Sequence, residues 1–175
     1  MSGDHPSGYI VTGTDTGVGK TVFAAALVAA LDGAYWKPIQ AGLDGETDAA
    51  IVRRLSGIAA GRVLPGVHAL RMAASPHIAS LRENVDIRQR NLGLPKSLRP
   101  LVVEGAGGVM VPLSPRLLQV DLFAHWGLPV IVCARTTLGT INHTLLSLEA
   151  LRRRRVGVHG VAFIGAPEPD VEETI

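Results

Sequence analysis

The segment Gly13-Thr14-Asp15-Thr16-Gly17-Val18-Gly19-Lys20-Thr21 sets three glycines, a lysine and a threonine between an apolar, β-rich run and a helical one. Consecutive backbone N–H groups in such a turn, with the start of the following helix, form a cradle for phosphate oxygens. Lys20 then neutralises the β- and γ-phosphates, and the Thr21 hydroxyl ligates magnesium. The usual pattern has a glycine six residues before the lysine. Here that place is Thr14, with the glycine one position earlier at Gly13. A glycine-rich turn without a ligand is the plainer alternative, and Gly-Lys-Thr in a strand-to-helix setting argues against it.

Magnesium needs hard oxygen ligands besides phosphate, commonly one or two carboxylates. Glu104 closes the apolar run Leu101-Val102-Val103 and precedes Gly105-Ala106-Gly107-Gly108. That places it at the C-terminal end of a buried strand, where ligands collect in open α/β sheets. Asp48 falls in the first turn of a helix; a carboxylate there is equally a helix-start charge favoured by the dipole, and both readings stand. Lys37 ends a strand before Pro38. It is either a solvated strand-end lysine or, if its strand neighbours the phosphate loop, a cation for transferring phosphoryl charge or for a carboxylate-like group. His77, after Ser75-Pro76, reads as a loop histidine. Cys133, the only cysteine, lies in the apolar run Pro129–Ala134 and reads as a small buried hydrophobe.

Positioning these groups takes alternating strands and helices. Tyr9–Thr12 is a strand feeding the phosphate loop, and Val22–Leu31 is a helix whose near-uniform apolarity predicts burial. Ala34–Lys37 is a second strand, stopped by Pro38, which lacks the N–H a ladder needs. Thr47–Leu55 is a helix with Ile51 and Leu55 one turn apart and Thr47 as N-cap. From Gly57 to Pro100 glycine and proline recur, and loops are expected with a weak strand near Val67–Met72 and a short helix around Val85–Asn91. Leu101–Val103, Val130–Cys133 and Val158–Ile164 are further strands, and Asn142–Arg154 repeats Leu145, Leu148 and Leu151 at helical spacing. Strands alternating with helices, with no Asn-Gly hairpin turn, predict a three-layer α/β fold, a mainly parallel β-sheet with helices on both faces. No repeat or linker divides residues 1–175, so a single phosphate-loop domain is expected, with 1–8 as a flexible N-terminal tail.

Composition limits the classes that remain. Of 175 residues, 47% are hydrophobic and 18% charged, which supports a folded core and excludes a disordered chain. No apolar run reaches the roughly 18 residues of a membrane span. Met1–Gly8 contains Asp4 and Pro6 and is no secretory leader, and a lone cysteine makes no intrachain disulfide. A cytoplasmic location is the default expectation. The net charge of +2 includes Arg152-Arg153-Arg154-Arg155, which reads as a helix end favoured by the dipole. No aromatics are interleaved for base stacking, so neither nucleic acid nor a membrane is expected as a partner.

Taken in order, Val11–Thr21, Lys37-Pro38-Ile39-Gln40-Ala41-Gly42, Ser75-Pro76-His77, Val103-Glu104-Gly105-Ala106-Gly107-Gly108 with Val111-Pro112-Leu113, and Leu138-Gly139-Thr140-Ile141-Asn142-His143 resemble the dethiobiotin synthetase family, from Tyr9 to about Gly160. The resemblance implies a P-loop NTPase-like fold and an ATP- and Mg2+-dependent ligase of biotin biosynthesis. In that reaction 7,8-diaminononanoate and CO2 give a carbamate, ATP phosphorylates it, and the second amine closes the ring to dethiobiotin with release of ADP and phosphate. The resemblance also implies Lys37 as the lysine that stabilises the carbamate, Lys20 on the phosphates, and Thr16 in the loop beside the substrate. Thr21, Asp48 and Glu104 match magnesium positions. Gly17, Val18, Gly19, Lys20, Thr21 and Val22, with Gly105, Ala106 and Gly107, match nucleotide positions. The family works as a homodimer with its active site at the interface. Residues matching Gly139, Thr140, Ile141 and Asn142 hold the diamine's carboxylate from across that interface, opposite Lys37 and Ala41.

Three departures accompany the resemblance. At Ala41 the family generally has a serine or threonine whose hydroxyl helps hold the substrate. Its adenine-reading Asn-Asp pair would fall on Ile164-Gly165, which cannot hydrogen-bond a base, so loose selectivity for ATP is expected. Family members also continue past the position of Ile175 through another strand and a nucleotide-contacting loop. Two alternatives share the phosphate loop. A cobyrinate-type amidotransferase synthase carries a glutaminase domain with a nucleophilic cysteine, and a non-catalytic ParA/MinD-like switch ATPase carries an extra lysine early in the loop. This chain has neither a suitably placed cysteine nor that lysine.

Overall fold

The computed structural model describes residues 8–175. The expected tail 1–8 lies outside the described residues except for Gly8, which is buried and already pairs in β1 (Gly8–Gly13). Close approach explains the residue type: a Cβ on Gly8 would sit 2.2 Å from the Leu101 carbonyl oxygen. α1 (Lys20–Ala30), β2 (Ala34–Trp36), β3 (Ile39–Ala41), α2 (Asp48–Ser56), β4 (Val63–Leu64) and β5 (His68–Leu70) follow. Then come α3 (Pro76–Arg82), β6 (Leu101–Gly108), β7 (Pro112–Ser114), β8 (Leu117–Leu118) and α4 (Gln119–Trp126). β9 (Val130–Arg135), α5 (Thr140–Arg153), β10 (Val158–Ile164) and α6 (Pro169–Thr174) complete the order.

The main sheet runs β10-β9-β1-β6-β2-β4, and every pairing in it is parallel. Parallel strands covered on both faces need continuous apolar runs, which is why Val130–Ala134 stays buried along its whole length. α1 and α2 cover one face through Ala24, Ala25, Val28 and Val52, packed with Val11, Tyr35, Val102 and Cys133. α4 and α5 cover the other, with Val120, Phe123, Trp126, Leu148 and Leu151 packed with Ile10, Val103, Val130 and Val132. The result is the expected three-layer α/β arrangement. Arg152 and Arg153 end α5, where Arg153 pairs with Glu149 and Arg154 with Asp121.

The structure differs from the periodicity reading in several places, among them the unexpected α4 and a β6 that runs past Glu104 to Gly108. α3 begins at Pro76, inside the expected loop, because a proline in the first turn gives up an N–H that has no intrahelical partner anyway. His77 is therefore helical, with Nδ1 3.0 Å from Ser75 Oγ. The helix expected around Val85–Asn91 is reduced to a 3₁₀ turn at Gln89–Asn91. Val85 and Ile87 both pack on the core, and a two-residue spacing suits extended chain rather than a helix. Finally, β3 and β5 form a small parallel pair of their own, with Ile39 opposite His68 and Ala41 opposite Leu70. This pair carries the chain beyond Lys37.

Candidate active site

β1 ends at Gly13 and the chain turns through Thr14–Gly19 into α1. Gly17 and Gly19 take φ values of 69° and 105°, left-handed backbone that glycine adopts without steric cost. The displaced glycine of the motif has a packing cause. A Cβ on Gly13 would lie 2.5 Å from Val18 Cγ1, so this position must be bare for Val18 to enter the core. The Thr14 N–H then donates to the Cys133 carbonyl at 3.0 Å, tying the loop to β9. At Gly19 a Cβ would meet Ile164 Cγ2 at 2.9 Å as well as an unfavourable φ. Gly19→Ala is expected to weaken ATP binding by about tenfold or more, given roughly 1–3 kcal/mol of backbone strain. Calorimetric titration with ATP checks this; wild-type affinity would remove the loop geometry from the explanation.

Below the loop, charged and hydroxyl groups converge from α1, from β2 and the residue that follows it, from α2 and from β6. Lys20 Nζ donates to the Asp15 carbonyl at 2.7 Å. Thr21 Oγ1 stands 3.0 Å from Glu104 Oε1 and 3.1 Å from Asp48 Oδ1. Lys37 Nζ donates to Glu104 Oε1 at 2.9 Å and also pairs with Asp48 Oδ2. Tyr35 Oη donates to the other Glu104 oxygen, Oε2, at 2.8 Å. Strand parity produces this convergence. β2 lies beside β6 with Tyr35 opposite Val102, and alternate residues share a face. Tyr35 and Lys37 therefore point to the side that Val102 and Glu104 occupy, the side covered by α1 and α2.

α2 supplies Asp48 because Thr47 caps it, its Oγ1 accepting the Ala50 N–H at 3.3 Å. Gln40 Oε1 accepts the Asp48 N–H at 3.3 Å, fixing the helix start against β3. Asp48 is thus both a helix-start charge and a member of the cluster. Burial pulls the Lys37 ammonium down in pKa, and the Glu104 and Asp48 carboxylates outweigh it, holding the group above its ordinary value. Lys20 is pushed below its ordinary value by burial and then by the Lys37 charge. Burial, followed by the Glu104 charge, raises Tyr35 well above its usual range, so its hydroxyl stays a donor. Burial pushes the Cys133 thiol up to about 12, which leaves it no nucleophilic role at neutral pH.

A cleft of about 670 Å³ opens over this cluster. Thr16, Gly17, Gly19, Lys20, Thr21 and Val22 form one wall, and Lys37, Gln40, Ala41 and Asp48 another; Glu104, Ala106 and Gly107 line it from β6. Two of the expected nucleotide positions do not line it. Val18 is buried in the core, and Gly105 lies against Gln119, whose Nε2 would be 2.9 Å from a Cβ there. Gln119 is a residue that sequence reasoning missed. Its Oε1 accepts the Ala106 N–H at 2.6 Å and its Nε2 donates to the Gly108 carbonyl at 2.8 Å, pinning the glycine run. Gly139, Thr140, Ile141 and Asn142 open α5 and take no part in the cleft wall of their own chain. Gly139 is the N-cap at φ 94°, and Thr140 is buried with Oγ1 3.4 Å from Thr144 Oγ1.

A phosphate loop joining a strand of a parallel sheet to a helix, with lysine and threonine in the first helical turn, defines a P-loop nucleotide-binding protein. Residues 7–175 match the family model of the AAA domain. The ATP-dependent dethiobiotin synthetase BioD of Rhodopseudomonas palustris (strain TIE-1) is 58% identical over 166 residues, 95% of this chain and 78% of that protein. Its counterpart in Nitrobacter hamburgensis is 60% identical with the same coverage, and that of Brucella ovis is 56% identical over 169 residues, 97% of this chain and 80% of the relative. The chain belongs to the ATP-dependent dethiobiotin synthetase family and is an ATP-dependent ligase of biotin biosynthesis.

Proposed function

We propose that this cleft closes the ureido ring of dethiobiotin from 7,8-diaminononanoate, CO2 and ATP. The observation that carries the reading is the Lys37 ammonium, buried beside the phosphate loop between Asp48 and Glu104. The diamine and CO2 form a carbamate, an anion that needs a fixed cation near the γ-phosphate, and Lys37 supplies it. A carbamate oxygen attacks the γ-phosphorus and ADP leaves. The second amine then attacks the carbonyl carbon of the mixed anhydride, releasing phosphate and closing the ring. Positioning and charge stabilisation carry such a phosphoryl transfer more than a strong base does. Lys20 and the loop N–H groups hold the β- and γ-phosphates, while Thr16 and Gly107 border the reacting end.

The donor set fits Mg2+. Thr21 Oγ1 lies within hydrogen-bond distance of an oxygen of Asp48 and of one of Glu104, so the three residues offer the hard oxygens that a small dication requires. Among the described residues no group of three or more histidine, cysteine or acidic side chains is arranged to hold a metal, and phosphate oxygens of the nucleotide would supply further ligands. When bound, the ion neutralises charge developing on the phosphates. The same two carboxylates hold Lys37 in the structure, so the residues that would hold the ion also position the ammonium that would face the carbamate.

The proposed assembly is a cytoplasmic homodimer; among the described residues no helix is long and apolar enough to cross a membrane. Gly139–Asn142, which does not line the cleft of its own chain, would meet the diamine's carboxylate across the interface, with the α5 N-terminus favouring an anion. Mixing equal amounts of Lys37→Ala subunits and subunits altered at Asn142 is expected to restore activity to about a quarter of wild type under the shared-site reading, since about half of the dimers are mixed and each of those has one of its two sites intact. No recovery after confirmed subunit exchange removes the shared site. The overall reading is tested by incubating the protein with diaminononanoate, bicarbonate, Mg2+ and ATP and detecting dethiobiotin by mass spectrometry. ATP hydrolysis without that product at saturating diamine would defeat it.

A further inference from the structure

We propose that Tyr35 is a positioning residue for Glu104, holding this carboxylate so that it offers a bound cation one oxygen rather than two, and thereby favouring Mg2+ over Ca2+. The inference rests on the magnesium site of the proposed function and adds a residue outside the phosphate-loop and acidic positions. Tyr35 is 0% exposed and Glu104 1%. The two Glu104 oxygens have separate partners: Oε2 accepts from Tyr35 at 2.8 Å, while Oε1 faces Thr21 and Lys37 at 3.0 and 2.9 Å. Tyr35 lies opposite Val102, two residues short of Glu104, a gap of about 6–7 Å along a strand that the length of a tyrosine side chain bridges. The ring is locked by its packing with Val11, Val102 and the α1 layer.

Calcium accepts six to eight oxygens and readily takes carboxylates in bidentate fashion, whereas magnesium demands octahedral geometry and is satisfied by single carboxylate oxygens. With Oε2 committed to a buried hydrogen bond, a bidentate grip on the ion strips Tyr35 of its acceptor, and an unpaired buried hydroxyl is costly. Only Oε1 is presented without that loss. The tyrosine thus sets the denticity of the site without touching the ion.

The test uses the full chain with saturating ADP, Mn2+ as a spectroscopically visible stand-in for Mg2+, and Ca2+ as competitor, on wild type, Tyr35→Phe and Glu104→Gln. Electron paramagnetic resonance of free Mn2+ gives both affinities. Tyr35→Phe is expected to bind Mn2+ about tenfold more weakly, and its preference for Mn2+ over Ca2+ should narrow by about fivefold, the scale of outer-shell effects. Equal weakening of both ions, leaving the preference within about twofold of wild type, is what a merely structural tyrosine gives and overturns the proposal. If Glu104→Gln binds Mn2+ as wild type does, Glu104 is no ligand and the metal reading fails together with the inference. If Glu104→Gln loses Mn2+ while Tyr35→Phe keeps the preference, the inference alone fails. Metal-free ADP binding reports whether Tyr35→Phe is folded. Should it not be, the NMR signal of the buried Tyr35 hydroxyl proton of the wild type decides: its persistence on adding Mg2+ and ADP supports the proposal, and its loss overturns it.

Discussion

Lys37→Met should lower the rate of dethiobiotin formation by about 10²–10³-fold, the usual effect of removing one preorganised group that stabilises transition-state charge. The same change should destabilise the ligand-free protein by about 3–5 kcal/mol, because it leaves a buried carboxylate without its counter-ion. Glu104 is 1% exposed and Lys37 8%, so solvent screens this pair little. Tyr35 and Thr21 still donate to Glu104, but neither carries charge. Mg2+ with ADP should restore most of the lost stability, since the dication takes over the Asp48 and Glu104 oxygens, yet it should not restore turnover. Urea unfolding with and without Mg2+ and ADP, beside a product assay, separates the two effects. A Lys37→Met protein of normal stability would mean that the ammonium does not neutralise this cluster.

Lys20→Met should show the opposite balance. Its ammonium donates to the Asp15 carbonyl and has no carboxylate in contact. Burial and the Lys37 charge already disfavour its protonated form. Removing the charge therefore relieves a cost in the ligand-free protein, and stability should hold or rise. ATP affinity should fall by about tenfold to 10²-fold, which corresponds to the roughly 1.5–3 kcal/mol of a hydrogen bond to a charged group. Calorimetric titration with ATP and ADP measures it. Undiminished affinity for both nucleotides would exclude Lys20 from the phosphate contacts.

The two lysines look alike in the sequence, each following a recognisable element boundary, and only their surroundings separate them. Similar reasoning applies to the carboxylates. Glu104 was legible because a charge in a buried apolar run has few structural explanations, although β6 continues to Gly108 and holds it inside the strand rather than at its end. Asp48 remained ambiguous because a helix-start acid is common, and the contact with Thr21, 27 positions away, is what makes it part of the cluster. Tyr35 left a faint signal. It sits two residues before Lys37 as Val102 sits two before Glu104, and the parity of parallel strands puts all four on one face. Gln119 left none, since its role is to bridge two backbone groups of a glycine run more than ten residues earlier.

What the sequence determined by itself is local. Gly13–Thr21 bends into a phosphate cradle because its glycines, lysine and threonine act on neighbours within one turn, and the apolar runs alternating with helices follow from side-chain period. The proline-led α3 and the extended Val85–Ile87 escaped because a fixed backbone and core packing override local preference there. The tertiary structure decided which oxygens meet which cations. The order of β2 beside β6, and of β6 beside β1, brings Lys37 and Tyr35 onto opposite oxygens of Glu104 and sets α2 close enough for Asp48 to share Thr21. Those contacts join residues 27 to 83 positions apart, so no local rule could fix them; they arise from the crossing of parallel strands, each reached only through a helix.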